Sequence, residues 1–159
     1  MHTDGADFVT VSPEEFDRVM DINIKGPYFV WKELAKYMME NTTIGKRHIL
    51  LSSSSRGSEP AWSPYGISKW SLNGMTRGLA QILFPYGIVV NSIAPGLTDT
   101  ELIGVKQGDI IYSSENKEGR LIMPDEVASI AKMLVSPTGD MIAGEVIHLS
   151  GGRGVFDIR

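Results

Sequence analysis

Hydrophobic periodicity switches between a helical and a strand pattern along this chain, in the order helix, strand, helix, strand, helix, strand. That order restricts the fold more than any other feature. Alternation of this kind builds an α/β domain in which helices cover both faces of a parallel sheet. The local signals agree with it. Ser12-Pro13-Glu14-Glu15 sets a serine N-cap, a proline at the first helical position and a glutamate three residues after the cap. Phe16, Val19 and Met20 then recur at helical spacing. A proline inside a helix removes a hydrogen bond and clashes with the preceding turn, so Gly26-Pro27 predicts a kink or short break near 23–27. The helix resumes through Tyr28, Trp31, Leu34, Tyr37 and Met38. Pro64 opens a second helix running to about Phe84, where Pro85-Tyr86-Gly87 stops it, and Pro124 opens a third. Ile49-Leu50-Leu51, Ile88 to Ala94 and Glu145 to Ser150 read as strands. The whole of 1–159 reads as one domain. Its sheet is thin, and an unpaired edge invites another chain.

Composition narrows the function classes. Apolar content of 42% and charged content of 21% fit an ordinary soluble globular domain. A net charge of −4 with no basic block argues against a general nucleic-acid binder. Lys46-Arg47-His48, the densest basic run, reads as a solvated helix-end cap. The chain has no cysteine, which excludes disulfides, a thiol nucleophile and thiolate-held metal. His2, His48 and His148 are scattered without metal-ligand spacing, so no metal site is expected. No apolar run approaches the about 20 residues of a membrane helix, and the first residues do not read as a signal peptide, so cytoplasm is the expected compartment.

Chemistry concentrates in Pro64-Tyr65-Gly66-Ile67-Ser68-Lys69-Trp70. On a helix, a tyrosine and a lysine at this spacing leave the same face one turn apart. An ammonium near a phenol favours phenolate, which predicts a Tyr65 pKa below the usual ~10. Taken alone, the pair reads first as an exposed i,i+4 contact on an ordinary helix. Its surroundings are more specific. A serine-rich loop precedes it, a long helix follows, and the next strand ends in Asn91-Ser92-Ile93-Ala94-Pro95-Gly96. With these features the chain, from Ser12 to Gly152, resembles the back part of a member of the short-chain dehydrogenase/reductase family.

The resemblance implies the C-terminal portion of a Rossmann-like doubly wound sheet, of about three strands. It implies NAD(P)-dependent transfer of hydride between a nicotinamide and a secondary alcohol or carbonyl, and a homo-oligomer, dimer or tetramer. By the same resemblance Tyr65 is the acid/base, and Lys69 supports it and holds the nicotinamide ribose. The backbone carbonyl of Asn23, in Asp21-Ile22-Asn23-Ile24-Lys25-Gly26, holds a relay water. A serine polarises the substrate oxygen. Counting back from Tyr65 reaches Ser52, whereas counting back from Gly57 reaches Ser54; Ser54 is preferred among Ser52, Ser53, Ser54 and Ser55 because it lies past the strand end. Pro95 and Gly96 turn the chain out where ligands of open α/β sheets bind. Thr98 and Thr100 there would meet the nicotinamide amide. Residues 97–122 would form a substrate lid, with Leu102, Ile103, Ile110, Ile111 and Tyr112 lining an apolar pocket or simply packing it.

One part of the family pattern is missing. A dinucleotide site needs a glycine-rich turn between a first strand and a helix. The run Gly151-Gly152-Arg153-Gly154 follows a strand with only a short tail behind it, and reads as a C-terminal turn. The chain is therefore expected to be a fragment of a longer protein or a truncated gene product. The alternative to an oxidoreductase is a non-catalytic remnant that acts as an oligomerisation or interaction module. In that case the helices at 13–41 and 64–84 would form an intersubunit bundle. The small stripe Ser71, Gly74, Gly78 suits close helix contact, because each helical glycine costs about 1 kcal/mol and is retained where another backbone approaches.

Overall fold

The computed structural model describes residues 7–42, 45–100, 112–116 and 118–154. Three parallel strands, β1 (Arg47–Ser52), β2 (Ile88–Pro95) and β3 (Val146–Leu149), form one sheet in the order β1-β2-β3. Arg47 pairs with Ile88 and Ser52 with Ile93, and Ser92 pairs with Val146 and Pro95 with Leu149. The central strand is buried from Ile88 to Ala94, as its near-continuous apolar run requires of a parallel strand covered on both faces.

Among the described residues four α-helices flank the sheet: α1 (Pro13–Met20), α2 (Gly26–Glu40), α3 (Pro64–Leu83) and α4 (Pro124–Leu134). Ser12 caps α1, its hydroxyl accepting the Glu15 amide at 3.1 Å. Ala35 of α2 and Leu72, Ala80 and Leu83 of α3 pack with Ile49, Leu51, Ile88 and Val90. Alternation along β1 turns His48 and Leu50 the other way. On that side α4 contacts β1 and β2, with Leu134 buried, and His48 bonds Asp140 at 3.1 Å. The expected α/β architecture, a Rossmann-like parallel sheet with flanking helices, is the one found.

Two local readings need correction. Between α1 and α2 there is no break: Asp21–Lys25 forms a π-helical turn, and the Gly26 amide donates to Asp21 five residues back. Pro27 has no N–H to give the Asn23 carbonyl, and the wider turn takes up the mismatch without interrupting the helix. His48 is not solvated; its side chain is 11% exposed. Arg47 does cap helix ends, its guanidinium donating to the Met38, Asn41 and Tyr86 carbonyls. On α3 the small-residue stripe is open within this chain. A Cβ at Gly74 or Gly78 would meet nothing within 4 Å, so no backbone of the described residues packs close there.

Because the strands are parallel, Ser52, Pro95 and Leu149 all end at the same edge of the sheet. The serine loop, the segment 96–100 and the segment 150–154 therefore emerge together. Leu102, Ile103, Ile110 and Ile111 lie outside the described residues. Tyr112 is 70% exposed. Thr98 bridges Ile122, and the Ile122 amide donates to Leu97 at 2.9 Å, which ties the two ends of the 97–122 segment together.

Candidate active site

Ser53 extends the β1 ladder by donating its amide to Ile93 at 2.8 Å, and the chain then turns. Ser55–Ser58 is one 3-10 turn, capped by Ser54, whose hydroxyl accepts the Arg56 amide at 3.3 Å. Gly57 closes this turn against α3. A Cβ there would lie 2.7 Å from the Lys69 carbonyl oxygen and 2.8 Å from the Asn73 amide nitrogen. Asn73 clamps the same contact, donating to the Gly57 carbonyl at 2.9 Å while its Oδ1 accepts from Ser53 at 2.5 Å. The loop is thus fastened to the helix that carries Tyr65 and Lys69.

Ser63 caps α3 by accepting the Gly66 amide at 3.1 Å, which starts the helix at Pro64 and sets Tyr65 in its first turn. Tyr65 forms a hydrogen bond with the Ser54 hydroxyl. The two residues line a cavity of about 280 Å³ whose other walls include Ser53, Arg56, Pro95, Gly96, Thr98, Thr100 and Glu115. Gly96 sits where a Cβ would be 3.1 Å from the Ser150 Cα, so a glycine lets the strand-end turn pass beside β3. The Thr98 hydroxyl donates to Gly96 at 3.0 Å and the Thr100 hydroxyl to Thr98 at 3.4 Å.

Lys69 and Asn23 are not among the walls of this cavity. The Lys69 ammonium lies 5.6 Å from the centre of the Tyr65 ring and donates to the Ser52 carbonyl at 3.0 Å. Asn23 is buried, and its amide donates to the Ser68 hydroxyl at 3.0 Å; Ser68 in turn donates to the Tyr65 carbonyl at 2.7 Å. The π-turn is thereby joined to the first turn of α3 through Ser68, a fully buried residue that spacing alone did not single out.

The expected acidification of Tyr65 by Lys69 is not found. Burial raises the phenol's pKa above its usual value, and the Ser54 hydrogen bond and the Arg56 charge only partly oppose that. Burial also lowers the pKa of Lys69, and its ammonium is engaged with the end of β1. Arg56 and Glu115 are further cavity residues that the sequence reading passed over. The signal for Arg56 was its place between Ser54 and Gly57; for Asn73 it was its position one helical turn beyond Lys69.

Two hydroxyls in hydrogen-bond contact face a Pro-Gly turn across a cavity at the carboxyl edge of a parallel sheet. That defines the class: an α/β protein built to take its ligand at the strand ends. Residues 1–153 match the family model described as enoyl-(acyl carrier protein) reductase. The chain belongs to the short-chain dehydrogenase/reductase family. It is similar to the 3-oxoacyl-[acyl-carrier-protein] reductase of Rickettsia felis, 32% identical over 147 residues, which cover 91% of this chain and 60% of that protein. Among solved structures, it resembles the 3-ketoacyl-(acyl-carrier-protein) reductase of Brucella melitensis complexed with NADH. The TM-score is 0.80 at 30% identity, over 94% of this chain and 62% of that one. The gluconate 5-dehydrogenase of Burkholderia cenocepacia, in complex with NADP and tartrate, gives 0.81 at 25% identity, over 92% and 59%. The chain thus spans about three-fifths of the length of these relatives.

Proposed function

We propose that this chain is the catalytic half of an NAD(P)-dependent oxidoreductase that interconverts a secondary alcohol and a carbonyl compound. The observation that carries the reading is the Tyr65–Ser54 hydroxyl contact on the wall of a cavity bounded opposite by Pro95, Gly96, Thr98 and Thr100. A bound nicotinamide would supply or accept the hydride. In reduction, the Ser54 hydroxyl donates a hydrogen bond to the substrate carbonyl oxygen, and Tyr65 delivers its phenolic proton to the same oxygen. In oxidation, the phenolate takes the alcohol proton. Pro95, Gly96, Thr98 and Thr100 would flank the nicotinamide end, and Lys69 would reach the ribose hydroxyls. The two threonine hydroxyls at a strand-end turn suit a carboxamide, since each can both donate and accept. The Asn23 backbone carbonyl, in the π-helical turn, is the proposed water site of the proton path. Relatives are described with NADH in one case and NADP in another, and either cofactor suits the residues here.

Titration of reduced cofactor fluorescence with the purified chain tests the reading. Saturable quenching at micromolar protein, together with loss of carbonyl reduction in Tyr65→Phe, is the expected result. No quenching would refute cofactor use by this chain.

A second reading has its own support. Gly74 and Gly78 face open space on α3, and Tyr28, Phe29, Val30 and Tyr37 of α2 are between 48% and 65% exposed. We infer that these helices bury against another copy in a homo-oligomer. A catalytically silent remnant would retain that association and lack cofactor binding.

A further inference from the structure

We propose that Arg56 anchors a carboxylate on the substrate, so that the site takes a small oxo or hydroxy acid rather than a neutral ketone or alcohol. This rests on the reading of Tyr65 as the proton donor.

The charges around the cavity are unevenly paired. Arg153, 14% exposed, donates its Nε to Glu59 Oε1 at 2.6 Å and its Nη2 to Glu59 Oε2 at 3.4 Å. Its Nη1 pairs with Glu115. One part-buried guanidinium therefore holds both carboxylates of the cluster, including the one that lines the cavity. Arg56 is left with a single bond, from Nη1 to Glu59 Oε2 at 2.9 Å. Among the described residues its Nε and Nη2 have no hydrogen-bond partner. Its side chain is 49% exposed and forms part of the cavity wall. A half-exposed i,i+3 pair with a carboxylate already held twice adds little stability. A planar fork with two open donors matches a carboxylate.

Placement adds to this. The Arg56 amide is hydrogen-bonded to the Ser54 hydroxyl, and that same hydroxyl meets Tyr65. The anchor and the point of proton transfer are thus fixed relative to one another by one 3-10 turn, which Gly57 and Asn73 hold against α3. The phenol responds to the Arg56 charge, which favours its ionised form. A cavity of about 280 Å³ suits a substrate of a few carbons, with its charged end on Arg56 and its reacting oxygen on Tyr65.

The test needs no cofactor. The isotope-labelled full chain is titrated with acetoacetate and, separately, with its neutral isostere acetoacetamide, following the amide resonances of Ser54, Gly96 and Leu97. Acetoacetate should saturate these shifts at least about tenfold more tightly than acetoacetamide. Arg56→Gln should erase the difference, and Arg56→Lys should retain part of it. Equal affinity for the two ligands, no saturation by acetoacetate, or a preference that survives in Arg56→Gln would overturn the proposal. If Arg56→Gln fails to fold, Arg56→Lys and the wild-type comparison of the two ligands still decide. A retained carboxylate preference without cofactor quenching would sink the oxidoreductase reading and leave the anion anchor. Quenching without the preference would do the reverse.

Discussion

Tyr65 is a half-buried acid whose pKa is raised, and the sign of that shift has a kinetic consequence. In the proposed mechanism reduction uses the neutral phenol, so its rate should stay level through neutral pH and fall only as pH climbs past the raised pKa. Oxidation uses the phenolate and should rise over the same alkaline range. A pH–rate profile in both directions, with cofactor saturating, checks this; an oxidation rate already maximal at neutral pH would contradict it. Tyr65→Phe should lower kcat by about a hundredfold or more, the usual worth of a positioned proton donor. Gly57 makes a structural prediction. A methyl group there would press on the Lys69 carbonyl from 2.7 Å, and backbone cannot swing aside as a side-chain tip can. Gly57→Ala should cost about 1–3 kcal/mol in denaturant unfolding, the range for overpacking. It should also disturb the Ser54–Tyr65 contact, read from the Tyr65 resonances.

Among the secondary-structure elements, α3 and α4 differ in what stabilises them. Gly74 and Gly78 of α3 are exposed and contact nothing, so each carries the helical cost of glycine with no packing return inside the chain. Gly74→Ala and Gly78→Ala should each raise the stability of the isolated chain by about 1 kcal/mol, measured as a shift in urea midpoint. Helix α4 is held at its start by charge. Arg120 forks onto Glu126 at 2.8 and 2.7 Å, and the same carboxylate accepts the Met123 amide at 2.8 Å. These contacts lower the Glu126 pKa from 4.5 to about 2. A depressed folded-state pKa gives stability that is present above the unfolded value and is lost as pH falls through the folded one. The acid arm of the stability curve should therefore flatten between pH 4.5 and about 2 in Glu126→Gln. Because the pair is solvent-exposed, the difference from wild type should shrink in high salt.

At the scale of the molecule, several large apolar side chains among the described residues are left uncovered. Beside the α2 aromatics, Trp62 and Trp70 are 52% and 50% exposed and Ile82 of α3 is 60% exposed. Burial of such surface drives association. Sedimentation velocity should show the chain moving to a dimer or larger species as concentration rises, and Gly78→Trp on α3 should oppose it. A strictly monomeric chain at high concentration would remove the support for helix-mediated assembly.

The sequence by itself determined the features that depend on neighbours along the chain. Ser12 as a cap, prolines at helix starts, and the alternation that makes the sheet parallel all act over a few residues, so they were legible. So was the convergence of the serine loop and the Pro95-Gly96 turn at one sheet edge, which follows from parallel strands. The tertiary structure decided whatever depends on distant segments. Asn23 meets Ser68 from 45 residues away, and Lys69 gives its ammonium to the end of β1. Gly57 lies against the Lys69 backbone where Gly78 meets nothing, and Arg153 pairs with both Glu59 and Glu115 beside Arg56. Spacing places Tyr65 and Lys69 on one face, but the pKa of a phenol answers to how much water surrounds it. Burial is a property of the packed molecule, and it reversed the sign that spacing alone had predicted.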